Sequence, residues 1–445
     1  MRRTRLWDVG AIALVQVLFA LPLSSQDDPA RASLTPSRRF GPPIDLVSRL
    51  DRAEVPKELR GPEAVTQYPG NSFENKYRGT VTANVDNGNT RDELIVDFGA
   101  AGVWVHSGFL YGGQWYQISG VDPAWIISVC WGDVTNEEII GAFGATGLWA
   151  WSFAGYPGTW TQLSGTSPSQ GFAVDDDGDG KEEIQVDFGA TGLWRYDADT
   201  SAWTQLSALD PALGGTRKNL WATTDQEGAW GFPGLGLWSF QADAAGNPSI
   251  WQLSSSDPGY PNVSAEFGLG DDSEELIVSF GPGLGLWLAE EGAYPAVTWQ
   301  QISGFYPAGS APVRFVGAAD YELLVDFADN AGLWMWDSGS WELLNAANPG
   351  DGFCEAFDPN SFLAETTGDE EVAIDFETQG LWLYDRTTGA YTQLSASNPL
   401  YMVRGDFFDS GDSDEWLVVD FGAAGLWGYD GYSNSWHQLS GLSPD

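Results

Sequence analysis

The sequence predicts an all-β ring, on three observations. A Gly-(Leu/Val)-Trp triplet recurs eight times in the 445 residues, with its tryptophan at Trp104, Trp149, Trp194, Trp238, Trp287, Trp334, Trp382 and Trp427, spaced 44 to 49 residues apart. A period of this length belongs either to helical-repeat solenoids or to four-stranded blades. Within the unit, Glu183-Ile184-Gln185-Val186-Asp187-Phe188 alternates apolar and polar residues with period two, and Gly and Asp clusters break the chain about every eight to twelve residues. Both features belong to short strands, and four-stranded repeats that close radially have about four to eight blades. The expected fold is an eight-bladed β-propeller of four-stranded antiparallel blades.

Residues 172–211 display the whole unit. Strand A is expected over 172–175, B over 183–188, C over 193–196 and D over 203–206, joined by turn-rich loops. An Asp-Phe-Gly turn links B to C. Asp97, Asp187, Asp326, Asp375 and Asp420 recur before its phenylalanine, which argues for turn-capping hydrogen bonds. Strand D reads Trp-x-Gln-Leu-Ser, with Trp115, Trp160, Trp203, Trp251, Trp299, Trp341 and Trp436 in its aromatic slot. A residue type repeated in every blade most simply packs blade against blade, because aromatic side chains bury large areas between sheets. His106 stands where Trp151, Tyr196, Phe240, Trp336, Tyr384 and Tyr429 stand in other copies, and so reads as an aromatic substitute. Because each copy has its own four strands, blade one is expected to pack on blade eight without a shared blade. Residues 65–68, Val-Thr-Gln-Tyr, resemble a D strand and offer an extra edge strand at that seam.

Three arginines in residues 1–5 precede an apolar stretch, 9–23, broken only by Gln16. Residues 1–25 read as a secretory signal, too short for a membrane span of about 20 apolar residues. The protein is therefore expected to be secreted, to the extracellular space or the periplasm. Residues 26–60 lack strand or helix periodicity and read as a flexible linker, leaving 61–445 for the propeller. Charge supports the boundary: residues 1–60 hold ten of the 20 basic and seven of the 62 acidic residues, which leaves the ring at −45. Such a surface repels phosphate, so nucleic acid and anionic membranes are excluded as partners and cations are favoured. Solubility or salt tolerance accounts for the acidity equally well. Cys130 and Cys354 fall in A strands of blades that are not neighbours, so they are expected to be free thiols.

Repeat three alone carries a complete acidic loop: Asp175, Asp177 and Asp179 at positions 1, 3 and 5, Gly180 at 6, Lys181 at 7 and Glu183 at 9. Ca²⁺ takes about six to eight oxygens, and alternate side chains in a tight turn, with the Lys181 carbonyl, converge on one ion. The alternative is a solvated acidic hairpin turn. This Asp-x-Asp-x-Asp-Gly loop, followed by an apolar B strand ending in Phe-Gly, resembles the FG-GAP or VCBS repeat of integrin-α heads and certain calcium-containing lectins. The run from Glu93 to Trp104 is similar to the lectin-type version. The resemblance covers roughly residues 75–445, and it implies a propeller, calcium in A–B loops and adhesion or glycan binding. One blade, not several, has the full loop, and it ends in Glu183 where the family has Asp.

Tryptophans outside the template, Trp125, Trp131, Trp221, Trp230 and Trp416, include two in repeat four, which has lost the acidic loop and the Asp-Phe-Gly turn. There the basic pair Arg217-Lys218 enters an acidic ring. Trp221, Trp230, Arg217, Lys218 and Trp125 are the candidate ligand platform, weighed against simple drift of a degenerate blade. Catalytic motifs are thin: two histidines, no nucleophile motif, no phosphate loop and no zinc spacing. The expected function is a calcium-binding module that recognises a glycan or a cell-surface or extracellular protein. A polysaccharide lyase or glycosidase, and a structural part of an extracellular assembly, stand as alternatives.

Overall fold

The computed structural model describes residues 79–85, 92–107, 113–131, 137–153, 157–211, 213–218, 226–243, 246–259, 262–265, 267, 274–291, 296–315, 321–327, 331–350, 354–357, 371–405, 407, 415–431 and 433–444. The expected signal, linker and 65–68 strand lie outside these residues.

Eight four-stranded sheets, each in the order A-B-C-D and antiparallel throughout, form the eight blades of a β-propeller. In blade three the strands are Gln170–Val174, Glu183–Asp187, Leu193–Asp197 and Ala202–Ser207, so A begins two residues earlier than expected. The A strands touch one another in an unbroken circle. That of blade one (Thr80–Ala83) meets those of blade two (Trp125–Val129) and blade eight (Tyr401–Gly405). Blade one thus closes directly on blade eight, as expected.

The repeated residues explain themselves in this frame. Every C–D pair shifts register at the Leu-Trp or Val-Trp step of the triplet. The preceding glycine makes the shift possible: Gly192 has φ +89°, and a Cβ there would lie 2.1 Å from the Ser207 carbonyl oxygen. D-strand tryptophans staple six of the blades to the one before, and Tyr391 does so in blade seven. Trp160 Nε1 donates to Ile118 O at 2.7 Å, Trp203 to Leu163 O at 3.1 Å, and Trp341 to Ile302 O at 3.0 Å. At the seam Trp115 Nε1 donates to Leu439 O at 3.0 Å, joining blade one to blade eight. The turn caps are present where Asp97, Asp187, Asp375 and Asp420 accept the N–H two residues on, at 2.7–3.0 Å.

Strand B differs from a half-exposed strand. Its polar positions Glu183, Gln185 and Asp187 are as buried as Ile184 and Val186, because each blade is sandwiched between two others. Neither Cys354, at the start of an A strand, nor Cys130, just past one, is in a disulfide.

Candidate functional sites

The acidic loop of blade three is folded by its own carboxylates. Asp175 Oδ1 accepts the Gly178 N–H at 2.9 Å and its Oδ2 the Gly180 N–H at 3.1 Å, while Asp179 Oδ1 accepts the Lys181 N–H at 2.9 Å. Gly180, at φ +87°, supplies the left-handed bend. The loop leans on blade four, where Gln226 exchanges two hydrogen bonds with the Asp175 backbone.

Beneath the loop lies a buried cation that the spacing argument missed. Arg195 Nε donates to Asp176 Oδ1 at 2.6 Å, and Nη2 reaches Asp177 Oδ2 at 2.8 Å and Glu183 Oε2 at 3.2 Å. Gln185 Nε2 donates to Asp176 Oδ2 at 2.8 Å, and Gln185 Oε1 accepts Trp230 Nε1 at 2.9 Å. This network replaces apolar packing. Val85, Phe267 and Phe315, the counterparts of Asp176, donate their backbone N–H to the first glutamate of their own B strand, as Asp176 does to Glu183. Arg195 pairs across from Gln185, where other blades pair Val105 with Ile95, Leu288 with Ile277 and Met335 with Leu324. The signal was in the sequence: Asp176, Gln185 and Arg195 are polar in slots that are apolar in blades one, five and six.

Burial raises the Asp175 carboxyl to about 6, even though the Gly180 and Gly178 N–H groups oppose the rise. Burial, then the charge of Asp176, lifts Glu183 to about 10. Desolvation opposes the charge on Arg195, but Asp176 and Glu183 outweigh it and hold the guanidinium above its usual range. Lys181 gives no relief, because its Nζ turns outward to Asp199 at 2.6 Å. Asp176, Asp177 and Glu183, with Asp197 at 3.3 Å, thus share one buried cation.

Asp175, Asp177 and Glu183 each offer an oxygen within 4.8 Å of the other two. Asp177 Oδ1 is buried without a hydrogen-bond partner. These residues fit a hard cation. Asp179 stands outside the group and is exposed, and Lys181 contributes no side chain to it.

The expected ligand platform is placed differently. Trp230 is fully buried against Phe172, at a ring separation of 5.1 Å, and Trp125 is buried with Nε1 toward Pro168 O at 3.3 Å. Neither presents a face to solvent, because strands A and B are covered on both sides. Lys218 is buried, with Nζ on Ser239 Oγ at 2.9 Å and Glu227 Oε2 at 3.4 Å. Arg217 lies in strand A of blade four (Leu213–Lys218), and Trp221 falls outside the described residues.

Solvent-facing aromatics occur instead in the triplet slot. In blade one, Trp104 Nε1 and Gln117 Nε2 donate to the same acceptor, Ala101 O, at 2.8 and 2.9 Å. Trp149–Gln162, Trp194–Gln205, Trp238–Gln252, Trp382–Gln393 and Trp427–Gln438 repeat this clamp at 2.7–3.3 Å. In these six blades the indole is half-buried and the glutamine exposed. Blade five buries its Trp287, and blade six has Leu343 in the glutamine slot. Exposed Val121, Leu209, Phe305 and Leu400 lie in the D–A connections at the same end of the sheets, and exposed Leu442 just past the last D strand.

A comparison with protein-family models finds no match, and one with curated proteins finds none. Among solved structures, an Agrocybe aegerita lectin that recognises non-reducing terminal N-acetylglucosamine is similar at 12% identity, covering 71% of this chain and 92% of its own, with a TM-score of 0.48. Saccharomyces cerevisiae Sqt1 is similar at 10% identity over 69% of this chain and 83% of its own, TM-score 0.43. BBS1N, solved in complex with ARL6DN, is similar at 10% identity over 78% and 88%, TM-score 0.41. At these scores the likenesses carry no argument about function. Among the described residues no helix is long and apolar enough to cross a membrane.

Proposed function

We propose that this protein is a secreted, calcium-binding propeller that captures carbohydrate in clefts around one face of the ring. The observation that carries the reading is the six-fold repeat of a half-exposed tryptophan beside an exposed glutamine. Each indole N–H is already satisfied by the turn carbonyl, so what the tryptophan offers outward is apolar ring, suited to the C–H face of a sugar. Each glutamine uses one N–H internally and keeps its carbonyl and second N–H for hydroxyl groups. The clamp fixes both side chains before binding, which lowers the ordering cost, and six like sites on one ring gain avidity.

Calcium would be held by Asp175, Asp177 and Glu183, with Asp179 and the Lys181 carbonyl as further oxygens of the same loop, and it supplies neutralising charge. The A–B loop and the B–C turn leave opposite ends of strand B, so the ion braces blade three and stays apart from the clefts. Chelation should therefore lower the melting temperature, since the ion binds the folded chain, and leave sugar affinity below that transition unchanged. Asp177→Ala should abolish the chelator response. A melting curve indifferent to chelator, with no calcium by elemental analysis, would remove the metal from this reading. New reducing or unsaturated chain ends released from a polysaccharide panel would replace the binder with an enzyme.

A further inference from the structure

Blade three differs from blades one, five and six in two linked places. The slot of Arg195 holds Val105, Leu288 and Met335 in those blades, and the slot of Asp176 holds Val85, Phe267 and Phe315. The blade with the complete acidic loop is therefore the blade with an arginine built in beneath it.

Arg195 is fixed where it stands. Its side chain is 1% exposed, with Nε on Asp176 Oδ1 at 2.6 Å and Nη1 on Asp197 Oδ2 at 3.3 Å. Asp176 is fully buried, and its other oxygen accepts Gln185 Nε2 at 2.8 Å. Withdrawing the guanidinium would strand a buried carboxylate, which is strongly unfavourable. An ion entering the loop has to bind beside Arg195, because it cannot displace it cheaply.

The same guanidinium reaches into the group of carboxylates that fits a hard cation. Nη2 lies 2.8 Å from Asp177 Oδ2 and 3.2 Å from Glu183 Oε2, so two of the three residues are already shared with a cation. Asp177 Oδ1 is the oxygen left over, buried without a hydrogen-bond partner on a side chain that is 9% exposed. Calcium affinity follows the charge count and rigidity of its ligands. Sharing lowers the charge that Asp177 and Glu183 offer, and a fixed unit charge on the far side of one carboxylate repels a divalent ion directly.

We infer that Arg195 sets the affinity of this site: it is an internal cation that opposes calcium and holds the loop to weak binding, of the order used by extracellular calcium modules. The inference rests on the calcium reading and adds to it the residue that limits the ion. Calcium chloride titrated calorimetrically into the full chain, stripped of divalent ions and held at constant ionic strength, tests it. The ring carries many other carboxylates, so only heat that Asp177→Ala abolishes counts as binding at this loop. Wild type should bind with a Kd of about 10⁻⁴–10⁻³ M. Arg195→Met should bind roughly a hundredfold tighter, and calcium should raise its melting temperature by more than it raises that of wild type. Because Arg195→Met strands Asp176, the double variant Asp176→Phe/Arg195→Met, which removes both partners, is titrated alongside and should show the same gain. Calcium bound by the variants and not by wild type would remove the metal from the natural protein and keep Arg195 as the cation in its place. Equal affinity in wild type and the double variant would overturn the opposing role while keeping calcium. Weaker binding in the double variant would overturn it too, by making Arg195 a residue that positions the ligands. Binding by none of the three proteins would overturn both the inference and the calcium reading.

Discussion

Arg195→Met isolates the network under the acidic loop, because methionine is what blade six places in the same slot, as Met335. The change removes the cation that meets Asp176 at 2.6 Å, Asp177 at 2.8 Å and Glu183 at 3.2 Å, and Asp176 has no solvent to turn to, being 0% exposed. Removing one partner of a buried pair strands the other, at a cost of about 3–5 kcal/mol. Replacing both partners by apolar residues of similar shape is often neutral. The double variant Asp176→Phe/Arg195→Met copies the Phe315 and Met335 pair of blade six. It should recover at least about 2 kcal/mol of the single-variant loss, with the remainder reflecting the Gln185 amide that no longer meets Asp176. Urea unfolding followed by tryptophan fluorescence gives the midpoints, and the cycle of wild type, two single variants and the double variant gives the coupling. An Arg195→Met protein as stable as wild type, or a double variant whose loss is the simple sum of the singles, would refute the account of a compensated buried network.

Two further outcomes follow from the seam and from Asp326. Trp115→Phe keeps the aromatic packing but removes the donor to Leu439 O, and should lower stability by about 1–2 kcal/mol, with hydrogen exchange accelerated first in blades one and eight. Burial and the neighbouring Glu377 raise the Asp326 carboxyl to about 7, above its unfolded value, so folding favours its protonated form. Its contribution is therefore full below the unfolded pKa and is lost as pH rises from about 4 to about 7. Asp326→Asn should flatten the fall in melting temperature over that interval, and a pH profile identical to wild type would count against the assignment.

Fold and site were unequally legible in the sequence. The blade count could be read because the Gly-Leu-Trp triplet answers one backbone demand repeated eight times, a left-handed glycine against a D-strand carbonyl. The acidic loop was found because its carboxylates sit at fixed spacing. Arg195 was missed because it lies twelve residues past Glu183, and only the pairing of strands B and C brings it beneath the loop. Trp125 and Trp230 were read as exposed because off-template residues suggest function, whereas in a propeller strands A and B are enclosed by neighbouring blades. The repeated tryptophans were read as packing alone, since a pattern cannot tell a buried indole from one whose N–H is pinned and whose ring edges the solvent.

The most direct test of carbohydrate capture is a glycan array, followed by titration calorimetry on whichever glycans bind. The protein is compared with a variant in which Gln117, Gln162, Gln205, Gln252, Gln393 and Gln438 are all replaced by leucine, the residue blade six tolerates at Leu343. The account expects wild type to bind glycan with several sites per chain, and the variant to fold with an unchanged melting temperature while losing that binding. Absence of any bound glycan, or affinity and stoichiometry unchanged in the six-fold variant, would contradict it.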